Sequence, residues 1–324
     1  MESKILENLK VTYRFYEMFM RSRELNLGLL SALVAFILRA YASGYLMPMA
    51  MAGLVNALQS SSDPGGLSDK ATGDLMMLMA SMLIFTATEW LFKPFWQAIA
   101  RTIAEIKKKL IVGRPIGESG DLVGRLASDV DFVLWNFGGM YTTLLPNLLT
   151  AVTSIYTIIQ LNMMLGLLSI VLTPISVMIV EPYLKGVERA RIIERRYYSM
   201  IIHEANKYLS GDSPEGFVRA LDNWVRGMNR QIFYDRYYWS SSLAYAYGSP
   251  FLIALIGIED VKKHILPVGN LIGIIYAAYN LYPPLINALW GICVQGQALV
   301  AMRRIMELKD KVNVKDSGQL AAVI

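Results

Sequence analysis

The chain has 324 residues, of which 54% are hydrophobic and only 18% charged, a balance too apolar for an ordinary soluble domain and one that points to a polytopic membrane protein. A single cysteine, Cys293, excludes an intrachain disulfide and a cysteine-cluster metal site, and the two histidines, His203 and His264, stand too far apart to suggest a His-based catalytic or zinc site. The net charge of +5 comes from basic residues gathered on one side of the expected topology, so no nucleic-acid partner is needed to explain it.

Residues 1–25 mix Lys4, Lys10, Arg14, Arg21 and Arg23 with acids and run into an apolar stretch too long for a signal peptide, so they are expected to form a cytoplasmic elbow. A membrane helix needs about 20 mostly apolar residues. Spans are expected near 27–55 and 74–97, then two in the uncharged run 132–180 with a turn at Leu161-Asn162, then near 237–258 and 267–293. These make a six-helix domain over 26–310, with cytoplasmic hairpins at 98–131 and 184–236 and a tail at 311–324. Apart from Lys70, Lys262, Lys263 and Arg39, every Lys and Arg falls on the side of the N-terminus, which assigns both termini to the cytoplasm and the protein to the cell membrane as a multi-pass, all-α chain.

The helices are expected to outlast the bilayer. From Asp74 the helical pattern runs to about Val112, breaks at Gly113-Arg114-Pro115-Ile116-Gly117 and restarts near Ser119, which gives rods of roughly 60 Å against a hydrocarbon core of about 30 Å. In "GDLVGRLASDVDFVLWNFG", Leu122, Val123, Leu126, Val130, Val133, Leu134 and Phe137 make one stripe at helical spacing, with Asp121, Arg125 and Asp129 at i,i+4 steps on the opposite side. The fourth span likewise continues to a break at Ser210-Gly211-Asp212-Ser213-Pro214, where Ser213 as N-cap, Pro214 and Glu215 start the next helix.

Inside the spans, Arg39, Glu89 and Glu181 reach a similar depth. An ionisable group there is costly and usually faces a cavity or a partner. An Arg39–Glu89 or an Arg39–Glu181 pair lining a pathway is one reading. The other leaves the acids at the inner interface, satisfied at i+4 by Lys93 and Lys185. In the sixth span Tyr276, Asn280, Pro283 and Asn287 fall on one helix face, and in the fifth Tyr238, Ser241, Tyr245 and Ser249 add hydroxyls. They line a chamber for amphipathic cargo or serve as interhelical hydrogen-bond donors. Gly269-x-x-x-Gly273 permits close helix approach.

Six spans, two long cytoplasmic hairpins and the segment "GDLVGRLASDVDFV" (120–133) resemble the transmembrane domain of ABC exporters of the type I fold. "LNMMLGLLSIVLTP" and the stretch from Leu266 to Leu308, with its "VG" entry, are weaker matches. The resemblance implies half of an alternating-access pathway, a second transmembrane subunit (the same chain or a related one), surrounding membrane lipids and a separate nucleotide-binding subunit holding ATP-Mg. It places the ATPase-coupling surface at Gly113, Arg114, Gly117 and Ser119 and at Gly211, Asp212 and Phe217, with Asp121, Arg125 and Asp129 stiffening the lever. No Gly-Lys pair occurs, so the phosphate loop is missing; this chain is not expected to be an enzyme or to hold a cofactor or metal of its own. "LSGDS" (209–213) sits at a helix break. Both hairpins are short for the family. That departure keeps two rivals open: an ion-gradient carrier with Glu89 or Glu181 as its proton site, and an inactive scaffold subunit.

Overall fold

The computed structural model describes residues 10–60, 69–111, 129–211 and 213–321. The fold is all-α: it is 94% helical, with no strand among the described residues. Helix α1 runs Arg23–Ser60, α2 Asp69–Leu110 and α3 Val130–Leu161. Helix α4 is Met163–Leu172, α5 Pro174–Leu209, α6 Glu215–Lys262, α7 Val268–Tyr279 and α8 Tyr282–Ala321. Helices α1, α2, α3 and α6 and the stretch Met163–Tyr183 make five segments among the described residues long and apolar enough to cross a membrane. The region 267–293 is not the single helix expected for a sixth span. It is split between α7 and α8 at Asn280-Leu281, because Pro283 and Pro284 have no amide to offer the Tyr279 and Asn280 carbonyls.

The chain enters α1 through an elbow. A π turn over Tyr16–Met20 ends at Arg21, and the Ser22 side chain caps α1 by accepting from the Leu25 amide. Phe15 and Met20 are buried and anchor this elbow to the bundle. The turn between α3 and α4 falls at Asn162, whose extended backbone and Oδ1, accepting from Leu165 N at 3.0 Å, both end one helix and start the next. Gly211 has φ +102, a conformation open to glycine, where α5 turns towards α6.

Two cores hold the bundle. In one, Phe95, Ile99 and Ile106 of α2 pack with Val133 and Leu134 of α3, Ala32 and Ala35 of α1 and Ile305 of α8. In the other, Ile158, Leu165, Tyr183, Tyr238, Tyr245, Ile274 and Tyr282 join α3 through α8. Helices α5 and α6 lie along each other, tied by Trp224 Nε1 donating to Glu194 at 2.8 Å and Tyr183 donating to Asp235 at 3.0 Å. The Gly269/Gly273 face of α7 packs on α1: a Cβ on Gly273 would stand 2.8 Å from the Pro48 carbonyl oxygen.

Prolines accompany several of the departures from helical regularity, although Pro182 and Pro250 lie inside unbroken helices. Each proline removes the amide that would serve the carbonyl four residues earlier. Pro48 does this to Gly44 and Pro146 to Thr142, and each proline follows a π turn, Ala42–Leu46 in α1 and Met140–Leu144 in α3. At the α1 turn, donors from α3 meet the carbonyls. Thr157 Oγ1 donates to the Gly44 carbonyl at 2.7 Å, and Thr153 Oγ1 to Ala40 at 3.0 Å. Beside the Pro94 kink in α2, Ser31 Oγ donates to the Leu91 carbonyl at 2.5 Å.

Replacing Thr157 by Val therefore leaves the Gly44 carbonyl without its donor. The expected loss of stability is about 0.6–1.7 kcal/mol, read as a lower melting temperature in detergent. Thr157→Ser should melt like the parent, and in a Pro48→Ala background, where residue 48 regains its amide, the cost of Thr157→Val should shrink. An undiminished cost in that background would refute the coupling.

Candidate functional site

Arg39 lies on α1 just before its π turn, and Glu89 on α2 just before the Pro94 kink. Arg39 Nη1 donates to Glu89 Oε1 in an ion pair, and the guanidinium stands 4.6 Å from the centroid of the Phe85 ring. The two side chains are 27% and 61% exposed, so the arginine is the enclosed member and the carboxylate the accessible one. Of the two pairings open on sequence grounds, the fold brings together Arg39 and Glu89. Lys93, the i+4 alternative for Glu89, lies instead over the Trp90 ring at 5.6 Å. Glu181 is exposed on α5. The Arg39–Glu89 pair joins two helices that are each long and apolar enough to cross a membrane. The described residues contain no cluster of His, Cys, Asp and Glu that could hold a metal ion.

The polar stripe of the expected sixth span does not survive as one face. Tyr276 and Asn280 belong to the end of α7 and Asn287 to α8, with the proline-driven break between them. Tyr276 donates to Met47 Sδ at 3.4 Å, linking α7 to α1, and Asn280 Nδ2 turns back to the Tyr276 carbonyl at 3.0 Å. Asn287 is exposed.

Tyrosines of α6 and α8 are spent on backbone. At Pro174 the amides of Thr173 and Ser176 reach back three residues rather than four, to Ile170 and Thr173, both at 3.1 Å. The carbonyls passed over, Ser169 and Leu172, accept Tyr282 at 3.4 Å and Tyr245 at 3.1 Å, and the two rings meet edge to face at 5.3 Å. Tyr238 donates to the Ile286 carbonyl at 3.2 Å and packs on Tyr183 and Trp290. For Tyr238 and Tyr245 the geometry is thus that of interhelical donors.

Of the expected coupling surface and lever, Gly113, Arg114, Gly117, Ser119, Asp121, Arg125 and Asp212 lie outside the described residues. Gly211 is exposed at its turn and Phe217 half-buried in the first turn of α6. Asp129 is half-buried at the start of α3. Beside it a link not singled out from the sequence joins α2 to α3, Lys107 Nζ bridging both Asp131 oxygens at 2.7 and 2.9 Å. Near the α5–α6 turn, a hydrogen bond from Lys207 holds the Glu204 carboxyl below its ordinary range.

Sequence reasoning also passed over Asn56 of α1. Its Nδ2 donates to Asn270 at 2.8 Å, and its Oδ1 accepts the Gly269 amide at 3.0 Å, tying α1 to the first turn of α7. It likewise missed Thr153 and Thr157, for which Pro48 was the available signal, since a proline in a membrane helix calls for an outside donor.

No protein-family model matches the chain, and no curated protein matches it.

Arg39→Ala and Glu89→Ala should each destabilise the detergent-solubilised protein, and their double-mutant cycle should give a coupling of about 1.5–3 kcal/mol. The swapped pair, Arg39→Glu with Glu89→Arg, should recover most of the melting temperature lost by either reversal alone; a swap no better than the single reversals would mean the contact carries no energy. Tyr245→Phe and Tyr282→Phe should each cost about 0.6–1.7 kcal/mol, and cycle measurements should show them coupled through the Pro174 kink.

Proposed function

We propose that the chain is a membrane-spanning permease subunit of an ABC-type transporter, forming half of an alternating-access pathway driven by a separate ATPase subunit. The observation that carries this reading is helix length. Helices α2, α5 and α6 contain 42, 36 and 48 residues. At 1.5 Å per residue they extend about 63, 54 and 72 Å, whereas a bilayer's hydrocarbon is about 30 Å thick. The excess lies where the basic residues gather, which is what a cytoplasmic stalk requires. The likeness of residues 120–133 to the exporter segment adds to this reading.

On this reading six spans cross the membrane, α7 and the start of α8 together making the sixth, with both termini in the cytoplasm. A second transmembrane subunit completes the pathway. The turns at 113–119 and 210–217 meet the ATPase, which holds ATP-Mg, and Arg39 with Glu89 marks the pathway. The two halves rock about it to open one side at a time.

A second reading draws on the Arg39–Glu89 pair itself. An accessible carboxylate beside an arginine at membrane depth is what a proton-coupled carrier would use, releasing the arginine when Glu89 is protonated.

Purification of the native complex from membranes, followed by reconstitution, separates the two. The first reading expects a nucleotide-binding subunit to co-purify and a vanadate-sensitive ATPase activity that the complex requires for flux. Flux that follows an imposed pH gradient, ignores vanadate and falls by about tenfold or more in Glu89→Gln would replace it with the second.

A further inference from the structure

Tyr41 and Tyr45 of α1 and Tyr156 of α3 line, with Thr153, an open groove of about 250 Å³ on the bundle surface. Tyr41 and Tyr45 are stacked, with ring centroids 5.3 Å apart and planes at 20°, and Tyr156 continues the aromatic wall at 5.9 Å from Tyr45. The groove sits on the α1 π turn, since Tyr45 belongs to Ala42–Leu46. Isolated π turns are frequent at functional sites.

Tyr45 lies about 16 Å along α1 from Asn56 and Tyr156 about 9 Å along α3 from the turn at Asn162, so the group sits within the length of two helices long and apolar enough to cross a membrane. Among the described residues Tyr13, Tyr16, Tyr183, Tyr238, Tyr245, Tyr276 and Tyr282 give their hydroxyls to an acceptor within the chain. The hydroxyls of Tyr41, Tyr45 and Tyr156 donate to no described residue, while their rings are held by each other. Thr153 does not compete as a donor, because its single hydroxyl proton has the Ala40, Leu149 and Thr150 carbonyls to choose among, each at 3.0 Å.

We infer that this groove binds a planar, membrane-soluble ring compound that carries a hydrogen-bond acceptor such as a ketone, quinone or ester carbonyl. The flat tyrosine faces take the ring by stacking, and the free hydroxyls take the acceptor, which satisfies polar groups that hydrocarbon would leave unmet. The volume lies just below the roughly 300–1,000 Å³ of drug-sized ligand sites, which suits a small ring system. A saturated acyl chain would fill the space and leave the hydroxyls without acceptors. The inference rests on the chain lying in a bilayer and not on transport or its energy source.

Benzophenone is a suitable probe, being an aromatic ketone that inserts into nearby C–H bonds when illuminated. The full chain is reconstituted in phosphatidylcholine nanodiscs and irradiated with benzophenone, and adducts are mapped by peptide mass spectrometry. Adducts should concentrate in residues 38–46 and 149–160, and excess methyl 2-naphthoate should suppress them where hexadecane does not. The triple variant Tyr41→Phe, Tyr45→Phe, Tyr156→Phe keeps the rings; it should melt like the parent yet lose about tenfold of this labelling, with labelling elsewhere unchanged. Adducts spread in proportion to exposed apolar surface, a triple variant labelled as strongly as the parent, or equal suppression by hexadecane would each overturn the inference. So would a diazirine-bearing acyl chain of phosphatidylcholine that labels the same segments and resists displacement by the ester, since a lipid tail would then be the occupant.

Discussion

In hydrocarbon a backbone carbonyl has no solvent to turn to, and this single constraint organises the bundle. A regular helix satisfies its own carbonyls. A proline breaks that economy by withholding one amide, and the chain places prolines in nearly every apolar helix: Pro48, Pro94, Pro146, Pro174, Pro250 and the Pro283-Pro284 pair. At several of these prolines the response is a wider turn or a break in the helix, with a hydroxyl from a neighbouring helix at some of the sites. Thr157 serves Gly44, Ser31 reaches Leu91 beside the Pro94 kink, and Tyr245 and Tyr282 serve the Pro174 kink. These contacts do more than satisfy acceptors. Lipid tails are as apolar as leucine, so helix association in a membrane cannot draw on the hydrophobic effect and relies on close packing and polar links. Irregularity in one helix thus becomes attachment to another.

The candidate site stands out against that background. The tyrosines of α6 and α8 are committed to backbone and hold the fold in register. The Arg39–Glu89 pair has a different character: its acceptor is an exposed carboxylate, and its donor is enclosed between that carboxylate and the Phe85 face. A hydroxyl bonded to a carbonyl has one useful arrangement, whereas an ion pair can be parted by a competing cation, anion or proton. Beside two proline-disturbed stretches of backbone, in α1 and α2, it joins segments already able to bend.

Much of the architecture was legible because it depends on local chemistry. The turn at Asn162 and the small-residue face of α7 follow from residue type alone, whereas the helix expected to be capped by Ser213 starts one residue later, with Pro214 at the N-cap and no side-chain cap. The partner of Arg39 was not, because Glu89 and Glu181 stand at equal depth and only the rotation of α1 against α2 decides between them. The stripe from Tyr276 to Asn287 was read as continuous because spacing was counted through Pro283-Pro284, whose missing amides interrupt the very helix on which the count relied. Thr153, Thr157 and the Tyr41–Tyr45–Tyr156 group were invisible for the same reason as the arginine's partner: each gains its meaning from another helix. The hydroxyls of Tyr238 and Tyr245 were compatible with either a chamber or helix-to-helix bonding until the acceptors could be named.

The length of α6 has a mechanical corollary. Between its attachment at Tyr238 and its first residue, Glu215, the rod measures about 35 Å and is stiffened along its flank by α5. Each degree of tilt about that attachment displaces the far tip by about 0.6 Å, given the same rise per residue. A swing of only a few degrees, small enough to leave the tyrosine anchorage intact, would carry the tip past the diameter of an atom, so the geometry works as a gear that trades small angles for large strokes.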